Sequence, residues 1–291
     1  MFFNTIKKLS FFILLLSQIT FSQETTAEES TKKDSIPKKW NTITKLTFIL
    51  NQSTFSNWVA GGTNTVAGNV NINYEFNYKK KNWNWDNKVT SAYGLSYIDK
   101  QGVRKTDDRL EYNSLLGYKS KKDWFFSFYN NLKTQFTRGY DYKKTPALPI
   151  SDLFSPAYLS FGPGMLWKKS DNKFINIAPS SSRFTFVSEE FSGKYGVDEG
   201  KTTNFGLGFN LSSYYKFSIT ETLTMENILA LYADYLDNPQ NVDIDYQINF
   251  LVKISDIFSA NLGFHTIIDD NASSKIQFRQ LFGLGVNYVI L

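Results

Sequence analysis

The feature that most constrains this chain is an alternation of apolar and polar side chains, which continues through nearly all of it after residue 40. In the segment 242–254, Val242 and Ile244 alternate with Asp243 and Asp245, and the pattern continues to the end of the segment. A period of two places the two kinds of side chain on opposite faces of a β-strand, whereas a helix repeats every three to four residues. About 12 segments of this kind are predicted as strands, near 43–51, 65–79, 83–98, 106–119, 123–138, 155–168, 173–187, 201–218, 222–236, 242–254, 257–267 and 276–290.

The composition narrows the choice between membrane and soluble folds. Aromatic residues make up 17% of the 291 residues, yet the mean hydropathy is only −0.32. Beyond the N-terminal region, no apolar run approaches the roughly 18 residues that a membrane helix needs. A transmembrane barrel reconciles these facts because only alternate residues face lipid, although a soluble β-sandwich would alternate as well.

The links between the predicted strands distinguish a barrel from a sandwich, because short and longer links follow one another in turn. The short links are 79–82, 120–122, 169–172, 219–221 and 255–256, and the longer ones are 52–64, 99–105, 139–154, 188–200, 237–241 and 268–275. A barrel with both termini in the periplasm has this order, with short turns inside and longer loops outside. An aromatic girdle is predicted on the apolar parity, from residues beside the short turns and from Trp40 at the start of the first strand. The residues beside the short turns are Tyr78, Trp83, Trp85, Tyr118, Trp124 and Trp167. The predicted fold is therefore all-β, a transmembrane antiparallel up-and-down β-barrel of about 12 strands.

The N-terminal region differs in composition from the rest of the chain. Residues 1–22 combine two lysines, a short apolar stretch and small residues at a cleavage position, which is typical of a cleaved signal peptide. Residues 23–39 are polar and charged and are predicted to be a disordered periplasmic leader, and residues 40–291 are predicted to be the outer-membrane β-barrel. The expected location is the outer membrane of a Gram-negative cell. The expected partners are outer-membrane lipid and lipopolysaccharide, with the barrel-assembly machinery acting during insertion.

A set of charged residues lies on the parity opposite the apolar one, and this parity faces the lumen of a barrel. Acidic and basic members are nearly balanced, and since buried charges need partners, opposite signs on adjacent strands are expected to pair. A barrel of about 12 strands is narrow enough for long side chains to obstruct it. The interpretation is a lumen crossed by ion pairs, with the alternative that the charges only satisfy one another. The predicted lumen charge network consists of Glu75, Asp86, Lys88, Arg109, Glu111, Lys133, Lys216, Glu226, Asp243, Asp245, Lys253 and Arg279.

The segment 55–65 interrupts the alternation with Trp58, Gly61 and Gly62 in a predicted external loop. Two consecutive glycines permit backbone angles that other residues avoid, which allows the chain to fold tightly beneath the tryptophan. One interpretation is a loop that folds into the barrel mouth as a plug or gate. The simpler interpretation is a structural loop anchored by one aromatic residue.

Motifs for catalysis and for cofactors are weak in this sequence. The chain has no cysteine, so thiol chemistry and disulfides are excluded, and no basic stripe with aromatics points to nucleic acid. His265, the only histidine, is expected to form a hydrogen bond in the lumen. Asp269, Asp270 and Asn271 offer oxygen ligands that suit calcium, but they lack EF-hand spacing and are interpreted as a solvated loop. No catalytic residue, metal site or cofactor is predicted.

Three motifs give the chain a family resemblance when they are taken as a set. It resembles an uncharacterised family of outer-membrane β-barrel proteins from Bacteroidota, over about 40–291. The resemblance implies a location and a fold but supplies no catalytic residue. The motifs are Trp58-x-x-Gly61-Gly62-x-Asn64, Ala157-Tyr158-Leu159-x-Phe161-Gly162-Pro163-Gly164 and Asp237-Asn238-Pro239-x-Asn241-Val242-Asp243-Ile244-Asp245.

The function predicted from the sequence is non-enzymatic, namely passive passage or binding of a small-molecule solute at the outer membrane. One alternative is a structural or accessory barrel that partners a larger complex of envelope proteins. A weaker alternative is a lipid-active outer-membrane enzyme, which would need a serine and His265. Ser259 lies six residues before His265 on the same predicted strand, which places the two roughly 20 Å apart.

Overall fold

A computed structural model of the chain describes residues 39–53 and 63–290. The predicted signal peptide, nearly all of the predicted leader, and Trp58, Gly61 and Gly62 lie outside the described residues. Among the described residues, no helix is long and apolar enough to span a membrane. The strands are β1 Trp40–Ser53, β2 Thr65–Lys80, β3 Trp83–Ile98, β4 Gly102–Lys121, β5 Trp124–Thr134, β6 Gly139–Asp141, β7 Leu148–Ser151, β8 Ala157–Ser170, β9 Lys173–Phe186, β10 Thr203–Ser218, β11 Leu223–Asp234, β12 Val242–Lys253, β13 Phe258–Asp269 and β14 Ser273–Ile290.

Twelve of these strands form a closed antiparallel barrel in the order β1-β14-β13-β12-β11-β10-β9-β8-β5-β4-β3-β2. Each strand pairs with its neighbours in the chain, apart from the short strands β6 and β7, which pair with one another in the link between β5 and β8. The first and last strands close the ring, with Thr44 opposite Ile290 and Leu50 opposite Leu284. The predicted all-β, 12-stranded up-and-down barrel is therefore confirmed.

The outer surface of the barrel carries its large apolar side chains. Phe278 on β14 is 63% exposed and Tyr288 on the same strand is 64% exposed, and every other barrel strand except β11 contributes similarly exposed residues. The opposite parity faces the lumen and is mostly polar, as in β2, where Asn69, Asn71 and Asn73 follow one another. A folded chain does not leave such an apolar surface in water. The fold is thus that of a transmembrane barrel, with lipid covering the outside.

The predicted aromatic girdle is confirmed on the part of the wall formed by β1, β2, β3 and β4. Trp40 lies 5.0 Å from Tyr78 and 5.8 Å from Trp85, measured between ring centroids, and the Trp83 ring lies 4.9 Å from that of Tyr118. Trp124 and Trp167 are direct register partners on β5 and β8. These rings lie at the end of the barrel where β1 begins and β14 ends. The first residue of β1 and the last residue of β14 are therefore both at the level of the girdle.

The predicted order of short and longer links is wrong at two places. The links predicted at 99–105 and 268–275 shrink to residues 99–101 and 270–272, because β3, β4, β13 and β14 continue outward as paired hairpins. Hydrogen bonding explains the extra length, since a paired extension satisfies backbone groups that a loop would leave to water. The links at 135–156 and 187–202 remain long, and both lie at the end opposite the girdle.

Register shifts interrupt the pairing of the wall near glycine and proline residues. Pairing between β8 and β9 is interrupted between Phe161 and Met165, and pairing between β9 and β10 shifts between Gly208 and Asn210. Gly164 lies in the first of these irregularities, where the backbone of β9 approaches closely. A Cβ added to Gly164 would lie 2.5 Å from the Ile177 carbonyl oxygen, so only glycine fits without a shift of the backbone.

We expect Gly164→Ala to lower the free energy of unfolding by about 1–3 kcal/mol, the usual cost of overpacking. Urea titration of the barrel folded in lipid vesicles, followed by tryptophan fluorescence, measures this. Gly68→Ala is the matched control, since a Cβ there would lie 3.6 Å from Leu50 Cδ2, at ordinary contact distance. Equal stability of the two variants would contradict the assignment of close packing at Gly164.

Candidate functional site: a bridged lumen below a covered mouth

One ion pair connects nearly opposite walls of the lumen. Lys133 Nζ on β5 lies 2.7 Å from Asp245 Oδ2 on β12. Four strands separate β5 from β12 on one side of the ring and six on the other. The two side chains therefore meet across the lumen instead of along its wall.

Three further residues extend this contact into a chain of hydrogen-bonded side chains across the lumen. Asp245 Oδ1 lies 2.8 Å from His265 Nε2 and accepts a hydrogen bond of 3.3 Å from Gln247 Nε2. Gln247 Oε1 in turn accepts a 3.4 Å hydrogen bond from Arg109 Nη1 on β4, which lies six strands from β12 in either direction. We call these five residues, Arg109, Lys133, Asp245, Gln247 and His265, the lumen bridge. The lumen bridge therefore connects β4 and β5 on one wall with β12 and β13 on the other.

Other charge pairs flank the lumen bridge and also join strands that are not neighbours. Towards the long loops, Arg279 Nη1 on β14 lies 2.6 Å from Asp107 Oδ1 on β4, and Arg183 Nη1 on β9 lies 2.5 Å from Asp243 Oδ2 on β12. Towards the girdle, the ammonium group of Lys168 on β8, which is 8% exposed, pairs with Asp86 on β3. Ion pairs thus cross the lumen at several heights.

The expectation that opposite charges would pair on adjacent strands is wrong for these pairs. Glu111 is directly opposite Lys133 in the β4–β5 register, yet it accepts hydrogen bonds from Asn113 at 3.0 Å and Asn131 at 3.1 Å. A lysine stem points away from the wall, so its ammonium group reaches the centre of a narrow barrel more readily than a neighbour on the same wall.

The remaining members of the predicted network lie nearer the girdle end. Lys88 and Glu75 form an adjacent-strand pair at 3.8 Å, as expected from the sequence. Glu226 accepts hydrogen bonds from Tyr214 at 2.7 Å and Asn249 at 3.0 Å, and it faces Lys216 in the β10–β11 register. Lys253 lies at the end of β12 and pairs at 2.6 Å with Asp256 of the next turn, so its partner is outside the predicted network.

Sequence reasoning missed two charged residues of the lumen, Arg183 and Lys168, and the uncharged Gln247 of the lumen bridge. The irregularity around Pro179 shifts the parity of β9, since Ala178 and Ser181 both face lumen residues of β10. Arg183 consequently points inward, although its parity in the uninterrupted pattern is outward. Lys168 follows Trp167, and its position on the polar parity was the signal that would have identified it.

The mouth at the long-loop end is covered by the links at 135–156 and 187–202. Val187, Phe191 and Val197 form a buried apolar cluster within the second link, with Tyr195 packed against it. The Tyr195 hydroxyl donates a hydrogen bond to the Ile150 carbonyl oxygen, which joins the two links.

An ionic contact reinforces the junction of the two links. Arg138 Nη2 lies 2.8 Å from Asp152 Oδ2 and 2.7 Å from Glu190 Oε2. The backbone N–H of Leu153 and the guanidinium of Arg138 lower the pKa of Asp152 below its ordinary value. The carboxylate therefore stays charged at any pH above the usual aspartate range, and the contact is lost only as the pH falls through the lowered pKa.

The second link also crosses the mouth to the turn between β13 and β14. A Cβ on Gly196 would lie 3.2 Å from Asn271 Cβ. Tyr195, Gly196 and Asn271 line a pocket of about 30 Å³ together with acidic residues of β12 and β13. We call this space the mouth pocket.

His265 and Ser259 have separate surroundings. His265 contacts Asp245, whereas the Ser259 hydroxyl accepts hydrogen bonds from Asn261 at 2.9 Å and Asn287 at 2.7 Å. The geometry does not bring the serine and the histidine into one catalytic arrangement.

Comparison with known families gives one match, to a protein family of unknown function (DUF3078), over residues 50–140. The match covers less than half of the chain and supports the resemblance to an uncharacterised family. No match to the chain was found among curated proteins.

Solved structures that are similar to this chain include an outer membrane channel from Pseudomonas putida F1, at 9% identity and a TM-score of 0.40, covering 90% of this chain and 99% of that one. The translocator domain of the autotransporter NalP from Neisseria meningitidis has 8% identity and a TM-score of 0.34, covering 88% and 90%. The β domain of the Bordetella autotransporter BrkA has 10% identity and a TM-score of 0.35, covering 86% and 99%. Likeness at this level carries no information on what this chain binds or transports.

Proposed function

We propose that this chain is an outer-membrane barrel whose lumen bridge blocks bulk diffusion and leaves only slow passage, or binding, of a small polar solute. The observation that carries the proposal is the 2.7 Å contact between Lys133 and Asp245 from nearly opposite walls. A wide porin keeps its centre free, whereas here charged side chains occupy it. The space that remains is polar, which favours a polar solute.

The apolar exterior and the girdle support a membrane location. The predicted signal peptide supports export, and a barrel of this kind belongs to the outer membrane of Gram-negative cells. When the full chain is expressed, cell fractionation is expected to recover the protein in the outer-membrane fraction. N-terminal sequencing is expected to show that residues 1–22 have been removed.

The covered mouth favours one further candidate, an accessory barrel that transports nothing and serves an envelope complex. The Arg138 contacts and the Tyr195 hydrogen bond hold both links over the lumen. In that case the lumen charges only satisfy one another.

Permeability measurements test the proposal. Purified barrel in planar bilayers is expected to conduct far less than an open barrel of the same strand number, and loaded liposomes are expected to admit glycine or arabinose slowly while excluding a trisaccharide. A large steady conductance would contradict a bridged lumen. Exclusion of every solute, together with no solute binding, would replace solute passage with the accessory role. Liposomes carrying heat-denatured protein give the background.

A further inference from the structure

The mouth pocket gathers three carboxylates, of which only one has a basic partner. One oxygen each from Asp243, Asp269 and Asp270 lies within 4.8 Å of the others. Asp243 is paired with Arg183. Asp269 accepts a 3.0 Å hydrogen bond from the backbone N–H of Ala272, and Asp270 accepts one of 2.7 Å from Asn241 Nδ2. Neither of these two has an ion-pair partner among the described residues, so the repulsion between them is only partly offset.

A buried hydroxyl gives a second, independent indication of a ligand in the mouth pocket. Tyr232 lines the pocket and is 3% exposed, and no described residue forms a hydrogen bond with its hydroxyl. The hydroxyl lies on the Gly206 side of the pocket, since a Cβ on Gly206 would be 2.9 Å away. A buried hydroxyl without a partner costs free energy, and a water molecule held by a cation would supply the partner.

We propose that the mouth pocket binds one calcium ion, with Asp243, Asp269 and Asp270 as carboxylate ligands. Calcium takes oxygen ligands at about 2.3–2.6 Å, so ligand oxygens across the ion lie up to about 5 Å apart, whereas magnesium needs a tighter octahedron. The 4.8 Å limit on the carboxylate separations fits the larger ion. The pocket volume of about 30 Å³ has room for an ion and bound water.

The site explains the position of the second long link. The ligands come from β12, β13 and the turn after β13, while Tyr195 and Gly196 of the link close the pocket from above. A cation that neutralises the carboxylates would remove the repulsion beneath the link. Calcium binding therefore stabilises the covered state of the mouth.

Calcium and terbium titrations of the full-length barrel in detergent, after removal of metal with EDTA, test the proposal. Calorimetry is expected to show one calcium site with a dissociation constant on the order of 10⁻⁴–10⁻³ M, the range of extracellular calcium modules. Magnesium is expected to bind at least about tenfold more weakly, because the site does not contract to its octahedron. Terbium is expected to show luminescence sensitised by the pocket tyrosines, and calcium should displace it.

Asp269→Asn together with Asp270→Asn is expected to abolish calcium heat and terbium luminescence, and Tyr232→Phe to weaken binding a few-fold. Asp198→Asn with Asp256→Asn removes the same charge from exposed residues and is expected to bind as the parent does. Heat-modifiable migration on gels confirms that each variant forms a barrel. No binding by the parent at calcium up to about 10 mM, well above the expected range, or unchanged binding by the Asp269 and Asp270 variant, would overturn the proposal.

Discussion

Lys133→Ala combined with Asp245→Ala is expected to raise single-channel conductance at least about fivefold, because it removes both side chains that meet at the centre of a narrow lumen. The two substitutions leave the net charge unchanged, so an increase reports free space and not a new electrostatic field. Adding Arg109→Ala removes the second contact across the lumen, between Arg109 and Gln247, and is expected to raise the conductance further. Planar bilayer recordings in 1:1 electrolyte measure all three proteins under the same conditions.

A control substitution outside the lumen distinguishes loss of the lumen bridge from a general loosening of the barrel as the cause of higher conductance. Lys201 and Asp198 form an exposed ion pair at 2.8 Å in the link at 187–202. Replacing both by alanine makes the same change in composition, and the conductance is expected to stay at the parent value. Equal conductance of the parent and the Lys133–Asp245 variant would mean that the lumen is closed elsewhere, with the covered mouth as the remaining barrier.

Most of the wall was predictable from local sequence. The predicted strand at 83–98 coincides with β3, and the predicted strand at 65–79 is one residue shorter than β2. Alternation fixes which face each residue takes, and the short turn between these strands fixes their register. Closure of the ring then follows, since a sheet of this size in lipid cannot leave its edges unpaired.

The contacts inside the lumen could not be predicted in the same way. Alternation shows that Lys133 and Asp245 face inward, but it does not show that β5 and β12 lie nearly opposite each other. That relation depends on the number of strands and on the stagger of the whole ring. Arg183 shows a second limit, because one irregularity near Pro179 reverses the parity of every later residue in β9.

The mouth pocket shows a third limit of prediction from the sequence. Asp269 and Asp270 were recognisable as a candidate calcium ligand pair, but their turn was expected to be a longer solvated loop. Because β13 and β14 are longer than predicted, the turn between them lies beside Asp243 on β12. Gly196, which contacts this turn, belongs to a link four strands away around the ring. A site assembled from such distant parts carries no local sequence signature.

Asp245→Asn is expected to lower the free energy of unfolding by about 2 kcal/mol, since it leaves the Lys133 ammonium without its carboxylate. Breaking a fully buried pair costs about 3–5 kcal/mol, but here the side chains are 33% and 22% exposed to the lumen, and Glu111 lies opposite Lys133 in the register. Lys133→Met is expected to cost less, because Asp245 keeps its contacts with His265 and Gln247. Urea titration in lipid vesicles, read by tryptophan fluorescence, gives each value.

The double variant decides whether the two charges act on each other in the folded barrel. If they do, Asp245→Asn with Lys133→Met costs less than the sum of the single variants, with a coupling of about 1–2 kcal/mol. The same cycle on Asp198 and Lys201, an exposed pair, is expected to give less than about 0.5 kcal/mol, since water screens it. If the changes in the free energy of unfolding at Lys133 and Asp245 are additive, the two side chains do not contact each other. The lumen would then be open at the position of the lumen bridge. A coupling with no gain in conductance after alanine replacement would instead place the barrier to solutes in the links that cover the mouth.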